Sequence, residues 1–395
     1  MPDEELPPAD AVGQSRPVLP FALGALAGVA VAVLVVVLVV VVRDDGDETL
    51  QTTDTIPETT EVTIRPTVPV VEEPPDTVAT DPAPSGSTSD WGAVPAVPVE
   101  CPQATTRVDS AEALESALAA AQPGTVIQLA PGTYEGKFVA TTSGTEDEPI
   151  FLCGPADAVI DGGGVKEGYA LHLDGVSDWR LVGFTVRNTQ KGVMADGVTR
   201  SVIQGLTVED VGDEAIHLRA ASTNNAVVDN VIRRTGLRRD KFGEGIYVGS
   251  AQSNWSEHSG GGPDRSDDNL VQGNTISQTT SEAIDIKEGT TGGRLVGNVI
   301  DAAGMSAADS PVDVKGNGWL IQGNVVRDAP EEGMQTHRIL DGWGTDNRFE
   351  GNTVDVVGDG LHFYVHDPEV TDNQIGCDNR TAAGSPVRST LDCVP

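Results

Sequence analysis

The sequence predicts an all-β fold, a solenoid of short strands, from one repeated phrase and from the β-branched residues that compose it. In this phrase a Gly or Asp, usually followed by Asn, precedes an alternating apolar pair, as in Gly273-Asn274-Thr275-Ile276. Successive copies are 22, 24, 44, 24, 26, 28 and 21 residues apart, and the 44-residue interval indicates one coil with an insertion. Such spacing is typical of solenoids, and short β-branched runs favour a β-solenoid. The copies begin at Gly183, Gly205, Asp229, Gly273, Gly297, Gly323, Gly351 and Asp372.

The N-terminal part predicts a membrane anchor. Phe21 to Val42 contains no charged residue, no Pro and no polar side chain, and a helix of that length can cross a hydrocarbon core of ~30 Å. The preceding tail, residues 1–20, is acidic, unlike the basic start of a signal peptide. We therefore expect a single-pass helix over 21–42, whose orientation the flanking Arg16 and Arg43 leave open.

Composition divides the rest of the chain into a linker and one large domain. Residues 43–97 are rich in Thr, Pro, Glu and Asp, and this composition predicts a disordered stalk. Residues 98–395 form the predicted solenoid domain. The chain carries 60 acidic and 25 basic residues, a net charge of −35. This charge argues against nucleic acid as a partner, and it argues against an anionic substrate unless a cation bridges the two.

The four cysteines all follow the apolar segment and flank the two ends of the large domain. Their spacing does not match that of a zinc site. Two end-locking disulfides, Cys101–Cys153 and Cys377–Cys393, are one interpretation, and four buried thiols are the other. Disulfides predict that the domain lies outside the cytoplasm.

The domain begins with a predicted helix. Ser110 is a suitable N-cap, an apolar stripe includes Leu114 and Leu118, and Pro123-Gly124 ends the helix. A short amphipathic helix of this kind can cover the exposed end of a solenoid.

With this helix, the Pro131-Gly-Thr-Tyr134 turn and the Gly-Asn repeats, residues 101–379 resemble the right-handed parallel β-helix, or pectate-lyase-like, superfamily. The resemblance implies three strands per coil. It also implies an Asn at the turn between the second and third strands, where Asn tolerates left-handed backbone and its amide can bond adjacent coils. The matching residues are Asn230, Asn274, Asn298, Asn324, Asn352 and Asn373. The strand after each phrase is then the first strand of the next coil, the face on which enzymes of the superfamily build their substrate groove.

Alignment of these first strands places polar side chains in two outward columns, because alternate residues of a strand face the same side. The first column is His172, Met194, His217, Tyr247, Asp285, Asp313, Gln335, His362. The second is Asp174, Asp196, Arg219, Gly249, Lys287, Lys315, His337, Tyr364. Four of the six histidines fall in these columns, which we expect to face water.

Two neighbouring coils repeat an Asp and a Lys. Coils lie ~4.8 Å apart, so Asp285 should lie beside Asp313, and Lys287 beside Lys315. Stacked ammonium groups are expected to lower the pKa of one lysine, which suits a proton-abstracting site. A surface ladder of ion pairs is the alternative for these four residues.

The surrounding residues favour a functional site. Candidate catalytic residues on adjacent coils are His217, Arg219, Tyr247 and His337, together with Lys287 and Lys315. The inserted loop, residues 250–268, begins after the Tyr247 strand and can wall the site or be a variable surface loop. Candidate substrate contacts are Trp255, Gln335, His362 and Tyr364.

Members of the superfamily that cut acidic polysaccharides use a Lys or Arg base, often with Ca²⁺ held by carboxylates. The resemblance implies Lys287 or Lys315 as base, Arg219 or His337 as the carboxylate contact, and Asp285, Asp313 and Glu282 as Ca²⁺ ligands. The motifs Asn-Thr-Asp, Gly-His-Gly and Arg-Ile-Lys of polygalacturonases are absent from the sequence, which argues against hydrolysis by that route.

These observations predict a membrane-anchored, extracytoplasmic and monomeric protein that acts on a polysaccharide or cell-wall glycan. The leading hypothesis is a lyase that cleaves an acidic polysaccharide by β-elimination. A non-catalytic carbohydrate-binding solenoid is the first alternative, and a glycoside hydrolase or uronate epimerase is the second. The fold is compatible with all three.

Overall fold

A computed structural model describes residues 94–166 and 168–395. The predicted tail and anchor, and nearly all of the predicted linker, lie outside these residues. Among the residues described, no helix is long and apolar enough to span a membrane.

The described chain is a parallel β solenoid, which confirms the predicted fold class. Each coil contributes one strand to each of three sheets, in the order sheet 1, sheet 2, sheet 3, and every pair of neighbouring strands is parallel. Sheet 1 consists of β4 Phe138–Ala140, β7 Tyr169–Asp174, β10 Lys191–Asp196, β13 Ile216–Arg219, β16 Ile246–Val248, β19 Ile284–Ile286, β22 Val312–Val314, β25 Met334–Thr336 and β28 Phe363–Val365.

Sheets 2 and 3 form the other two faces of the solenoid. Sheet 2 consists of β1 Thr106–Val108, β2 Val126–Leu129, β5 Ile150–Cys153, β8 Trp179–Val182, β11 Val202–Gln204, β14 Ala226–Val228, β17 Leu270–Gln272, β20 Arg294–Val296, β23 Leu320–Gln322, β26 Arg348–Glu350 and β29 Gln374–Ile375. Sheet 3 consists of β3 Gly132–Glu135, β6 Ala158–Asp161, β9 Thr185–Thr189, β12 Thr207–Val211, β15 Val231–Arg233, β18 Thr275–Ser277, β21 Val299–Asp301, β24 Val325–Ala329 and β27 Thr353–Val356.

The predicted helix is present as α1, Ala111–Ala119. Ser110 precedes it, and the Ser110 Oγ accepts a hydrogen bond from the Ala113 N–H at 3.2 Å, as an N-cap does. Leu114, Ala117 and Leu118 are buried, and the helix contacts β1, β3 and β4. A second helix, α2, is a single turn, Trp255–His258, and short 3₁₀ helices lie at Asp240–Phe242 and Gln252–Asn254.

Both predicted disulfides, Cys101–Cys153 and Cys377–Cys393, are present. Upstream of Cys101, Val94, Val97 and Val99 pack on the outer side of sheet 2. The backbone of Val99 exchanges two hydrogen bonds with the side chain of Gln204. The first described residues are therefore held on sheet 2.

A ladder of buried asparagines joins successive coils at the turn between sheets 2 and 3. From Asn274 onward, each Oδ1 accepts from the backbone N–H and the side-chain amide of the Asn on the preceding coil, as Asn298 does from Asn274 at 3.0 and 2.9 Å. The ladder runs through Asn230, Asn274, Asn298, Asn324, Asn352 and Asn379. The prediction that Asn373 belongs to this ladder is wrong. Its side chain accepts instead from the Asn347 N–H, in a second ladder.

We expect Asn298→Ala to lower the free energy of unfolding by about 2–4 kcal/mol, because it leaves buried backbone groups without partners. Those groups are the Asn274 N–H, which donates to Asn298 Oδ1, and the Val271 carbonyl, which accepts from Asn298 Nδ2. Chemical denaturation checks this value. The matched control is Asn254→Ala, at an exposed residue whose side chain caps nothing. Equal stability of the two variants would contradict a structural role for the ladder.

Candidate active site

The first outward column of sheet 1 is in the predicted register over seven coils. His172, Met194, His217, Tyr247, Asp285, Asp313 and Gln335 pair in succession. The eighth prediction is wrong, since Gln335 pairs with Tyr364 rather than His362. The true register differs from the predicted one by two residues. Such a shift keeps the alternation of inward and outward residues, so the apolar pattern does not reveal it. The inward residues of β28 are Phe363 and Val365. The second column therefore ends at His366.

The prediction that the first column faces water is wrong. Asp285 is fully buried, and Asp313 and Gln335 are 2% and 1% exposed. Lys287 and Lys315 of the second column cover the two aspartates, since their ammonium groups lie directly on the carboxylates. Gln335, a predicted substrate contact, donates instead to Asp309 Oδ1 at 2.6 Å.

The duplicated Asp and Lys residues form one cross-paired cluster. Lys315 Nζ lies 2.7 Å from Asp285 Oδ1 and 2.7 Å from Asp313 Oδ2. Lys287 Nζ lies 2.6 Å from Asp285 Oδ2. The like charges of adjacent coils are thus separated by opposite ones. The surface-ladder alternative does not describe a group this buried.

The expected low lysine pKa is wrong for the free protein. Burial alone would lower the pKa of Lys315, but Asp285 and Asp313 outweigh burial and raise that pKa. At Lys287, burial likewise lowers the pKa and Asp285 raises it, and the net effect is a raised pKa. The prediction considered only the repulsion between the two ammonium groups. In the structure each ammonium contacts a carboxylate, which holds both lysines in the charged form.

His337 stands at the edge of this cluster. Its Nδ1 lies 2.8 Å from Asp313 Oδ2. Burial opposes protonation of His337, but the bond to Asp313 prevails and raises its pKa. The His366 ring stacks on the His337 ring with centroids 3.8 Å apart, and the Tyr364 ring contacts His366. Asp313 therefore fixes the ring orientation of His337, and its Nε2 remains for other partners.

Tyr247 joins the cluster from the preceding coil. Lys287 Nζ lies 5.1 Å from the centre of the Tyr247 ring, and the His217 ring packs on it at 4.2 Å. Burial and the nearby Asp285 raise the pKa of Tyr247 well above its ordinary value. His217 is also buried, and its Nε2 bonds to the Gly249 carbonyl. Tyr247 is thus a neutral phenol beside an ammonium group.

A row of carboxylates precedes the strands of the same coils. Glu244, Glu282 and Asp285 present oxygens that lie within 4.8 Å of one another. Glu244 Oε2 is buried and accepts no hydrogen bond, and burial and Glu214 raise the pKa of Glu244 well above its ordinary value. An oxygen set of this kind suits Ca²⁺. Glu244 belongs to this set and Asp313, which the sequence assigned to it, does not. The Asp285 carboxylate is shared with Lys287 and Lys315.

A cleft of about 610 Å³ lies over the cluster. Its first edge, before the strands of sheet 1, is acidic, and its second edge, after the strands, is basic. The first edge contains Lys241, Glu244, Ser281, Glu282, Ser306, Ala307, Ala308, Asp309 and Glu331, and the second contains Lys287, Lys315, His337 and Ile339. Lys241, Asp309 and His366 were not predicted as site residues, because strand periodicity does not give the register of loop residues.

Arg219 belongs to a separate cluster nearer the N-terminal end of sheet 1. Arg219 Nη2 lies 3.2 Å from both Asp196 Oδ2 and Tyr169 Oη, and Arg219 Nη1 lies 3.1 Å from His258 Nε2. Asp196 also contacts His172 at 2.9 Å. Arg219 is therefore engaged within the protein and lies outside the cleft described above.

The inserted loop folds onto this separate cluster and not onto the cleft. Trp255 is 8% exposed, its Nε1 donates to the Ser250 carbonyl, and its ring packs against Gly289. The Asp264 carboxylate accepts from the N–H groups of Ala220 and Ala221. The ring of Trp255, a predicted substrate contact, forms the core of its own loop.

His362, another predicted substrate contact, already has a partner within the protein. It is 7% exposed, and its Nδ1 accepts from the Arg388 N–H at 2.9 Å. Burial lowers its pKa. His362 therefore fastens the C-terminal segment to the solenoid.

Comparison with known proteins places the chain in a superfamily. The family described as "Periplasmic copper-binding protein (NosD)" matches residues 156–311. An alginate lyase from Paenibacillus sp. str. FPU-7 is 33% identical over 71% of this chain and 97% of that chain, with a TM-score of 0.64. The chain belongs to the right-handed parallel β-helix, or pectate-lyase-like, superfamily.

Two other solved structures are similar to the chain at lower identity. Pectate lyase Pel9A is 14% identical over 70% of this chain and 72% of its own, with a TM-score of 0.48. A polygalacturonase from Erwinia carotovora ssp. carotovora is 11% identical over 79% and 99%, with a TM-score of 0.43. No curated protein matches the sequence significantly.

We expect Asp313→Asn to lower the pKa of His337 below 6.5, its ordinary value, because the buried ring then loses the carboxylate that stabilises its charge. An NMR titration of the imidazole signals measures this change. His362 is the internal control, since its pKa depends on burial and Arg388. An unchanged His337 pKa would show that Asp313 does not govern its protonation.

Proposed function

We propose that the β-helix domain cleaves an acidic polysaccharide by β-elimination in the cleft over Lys287, Lys315 and His337. The observation that supports this most directly is the cross-paired cluster, which gathers two ammonium groups and an Asp-oriented imidazole at one cleft, with the Tyr247 phenol packed beside Lys287. The 33% identity to an alginate lyase, over 97% of that chain, supports a uronate polymer such as alginate as the substrate.

Elimination begins with neutralisation of the uronate carboxylate, which makes the proton on the adjacent carbon more acidic. Lys287 and Lys315 suit this role, since their raised pKa values keep them charged. Preorganised charges in a buried site stabilise developing negative charge strongly. The two lysines therefore bind the carboxylate in this proposal and do not act as bases.

Proton abstraction requires a neutral group with a free lone pair. His337 suits this role, because Asp313 holds its Nδ1 and leaves Nε2 to face the substrate. The base takes the C5 proton, the C4–C5 double bond forms, and the C4–O4 bond breaks. The leaving O4 takes a proton, for which the neutral phenol of Tyr247 is the donor. Lysine as base stays the alternative that the resemblance implies.

We also propose that Ca²⁺ binds Glu244, Glu282 and Asp285. Bound there, the ion would supply positive charge for the uronate carboxylate. Copper does not fit: among the described residues, this all-carboxylate set is the group of three potential ligands that the structure brings together, and copper prefers imidazole and sulfur ligands. Calorimetric titration with Ca²⁺ tests the site, and Glu244→Gln should weaken the binding.

We also propose an extracytoplasmic location for the domain. The apolar segment 21–42 and the two disulfides favour a single-pass protein whose domain is extracytoplasmic. Protease treatment of intact cells tests this topology, since an extracytoplasmic domain is cleaved without lysis. Protection of the domain would place it in the cytoplasm.

The first functional prediction is that the full-length protein in detergent, given alginate or another polyuronate, releases products with the ultraviolet absorbance of an unsaturated uronate. His337→Ala should reduce the rate about 100-fold or more, as loss of a general base does. Arg348→Ala, an exposed change on sheet 2, is the control. Binding of the polymer without any such absorbance would instead support a non-catalytic carbohydrate-binding solenoid, and sugar inversion without cleavage would indicate an epimerase.

The second prediction concerns pH. A His base must be deprotonated, so kcat/KM should rise with pH through a pKa above 6.5, the ordinary His value, because Asp313 raises the pKa of His337. A lysine base would move this rise above 10.5, the ordinary Lys value, because carboxylates raise the pKa of Lys287. A profile that rises only in the alkaline range, with activity retained in His337→Ala, would assign the base to a lysine.

A further inference from the structure

The loop between β15 and β16 places basic side chains at the acidic edge of the cleft. Arg238, Arg239 and Lys241 lie within four residues of one another in a chain whose net charge is −35. Of these, Lys241 lines the cleft, and its neighbours on that edge include Glu244, Glu282, Asp309 and Glu331. Lys241 is thus the basic residue of an otherwise acidic edge.

Contacts with two neighbouring coils fix the position of this loop. Arg238 makes two hydrogen bonds to the buried carboxylate of Asp213. On the other side, Thr280 Oγ1 donates to the Asp240 carbonyl at 2.6 Å. A side chain at Gly236 would collide with Thr280, which shows how closely the loop approaches the next coil. The cations therefore sit on a rigid support.

The Phe242 ring contacts the cationic groups of both Arg239 and Lys241. The Arg239 guanidinium lies 4.0 Å from the centre of the Phe242 ring, and Lys241 Nζ lies 4.9 Å from it. Among the described residues, Lys241 has no carboxylate within ion-pairing distance, whereas Lys287 and Lys315 are paired with aspartates. Lys241 is exposed. It is therefore a cation available to a ligand.

We infer that Lys241, supported by Phe242 and Arg239, binds the carboxylate of a second uronate residue of the substrate, across the cleft from the one bound at Lys287 and Lys315. This inference rests on the proposed function and adds a subsite that determines specificity. A neutral polymer does not need it. A polyanion does, because Asp309 and Glu331, which lie on the same edge outside the proposed Ca²⁺ ligands, repel a carboxylate.

The test compares Lys241→Ala, Lys241→Arg and the control Arg233→Ala in the full-length protein. Arg233 is an exposed arginine of β15 that pairs with Glu209 and does not line the cleft. On a polyuronate, we expect Lys241→Ala to raise KM about fivefold, the size of an exposed charge contact, with kcat within about twofold. Lys241→Arg should restore KM, and Arg233→Ala should leave it unchanged.

Calorimetric binding of uronate oligomers separates this inference from the proposed reaction. If the unsubstituted protein binds oligomers without cleaving them, the proposed lyase activity fails, and a weaker Kd for Lys241→Ala still supports the subsite. If Lys241→Ala leaves both Kd and KM unchanged, the inference is overturned whatever the activity. An equal loss in Arg233→Ala would also overturn it, since the effect would then be one of overall charge.

Discussion

The in-register stacking of parallel strands governs both the scaffold and the site. Each residue lies beside its equivalent on the next coil, at the ~4.8 Å spacing of a sheet, so a repeated polar residue always meets a copy of itself. Asparagine tolerates this arrangement because its amide both donates and accepts. Each amide of the ladder therefore bonds to the next one, as Asn274 does to Asn298 and Asn298 to Asn324. No coil needs another residue to complete these hydrogen bonds.

Charged residues cannot stack in the same way, and sheet 1 shows how the protein accommodates them. Asp285 lies beside Asp313, and two neighbouring carboxylates repel each other unless a cation lies between them. Lys315 reaches back to bond both, so that unlike charges alternate along the face. The same ion pairs raise the pKa values of Lys287 and Lys315 and keep both lysines protonated. A pairing that stabilises the fold therefore also decides which groups can act as acids, bases or carboxylate ligands.

Sequence periodicity predicts this fold well and the site only in part. Apolar alternation identified seven of the eight first strands in register, because inward and outward residues differ in polarity. It could not detect a shift of two residues at His362, since that shift preserves the alternation. Nor could it predict that Asp285 is buried or that Trp255 fills its own loop, since burial depends on which long side chains fold over a strand. Loop residues such as Lys241 have no period to align.

The charge of the protein and the charge of the proposed substrate are compatible only at short range. A net charge of −35 repels a polyanion, but at physiological ionic strength such repulsion is screened beyond about 8 Å. Attraction must then come from cations that touch the polymer. In the described part of the chain, Lys241, Lys287 and Lys315 line one cleft, and two of them are already neutralised by aspartates. In the proposed function, affinity for a polyanion therefore depends on a few direct contacts in this cleft.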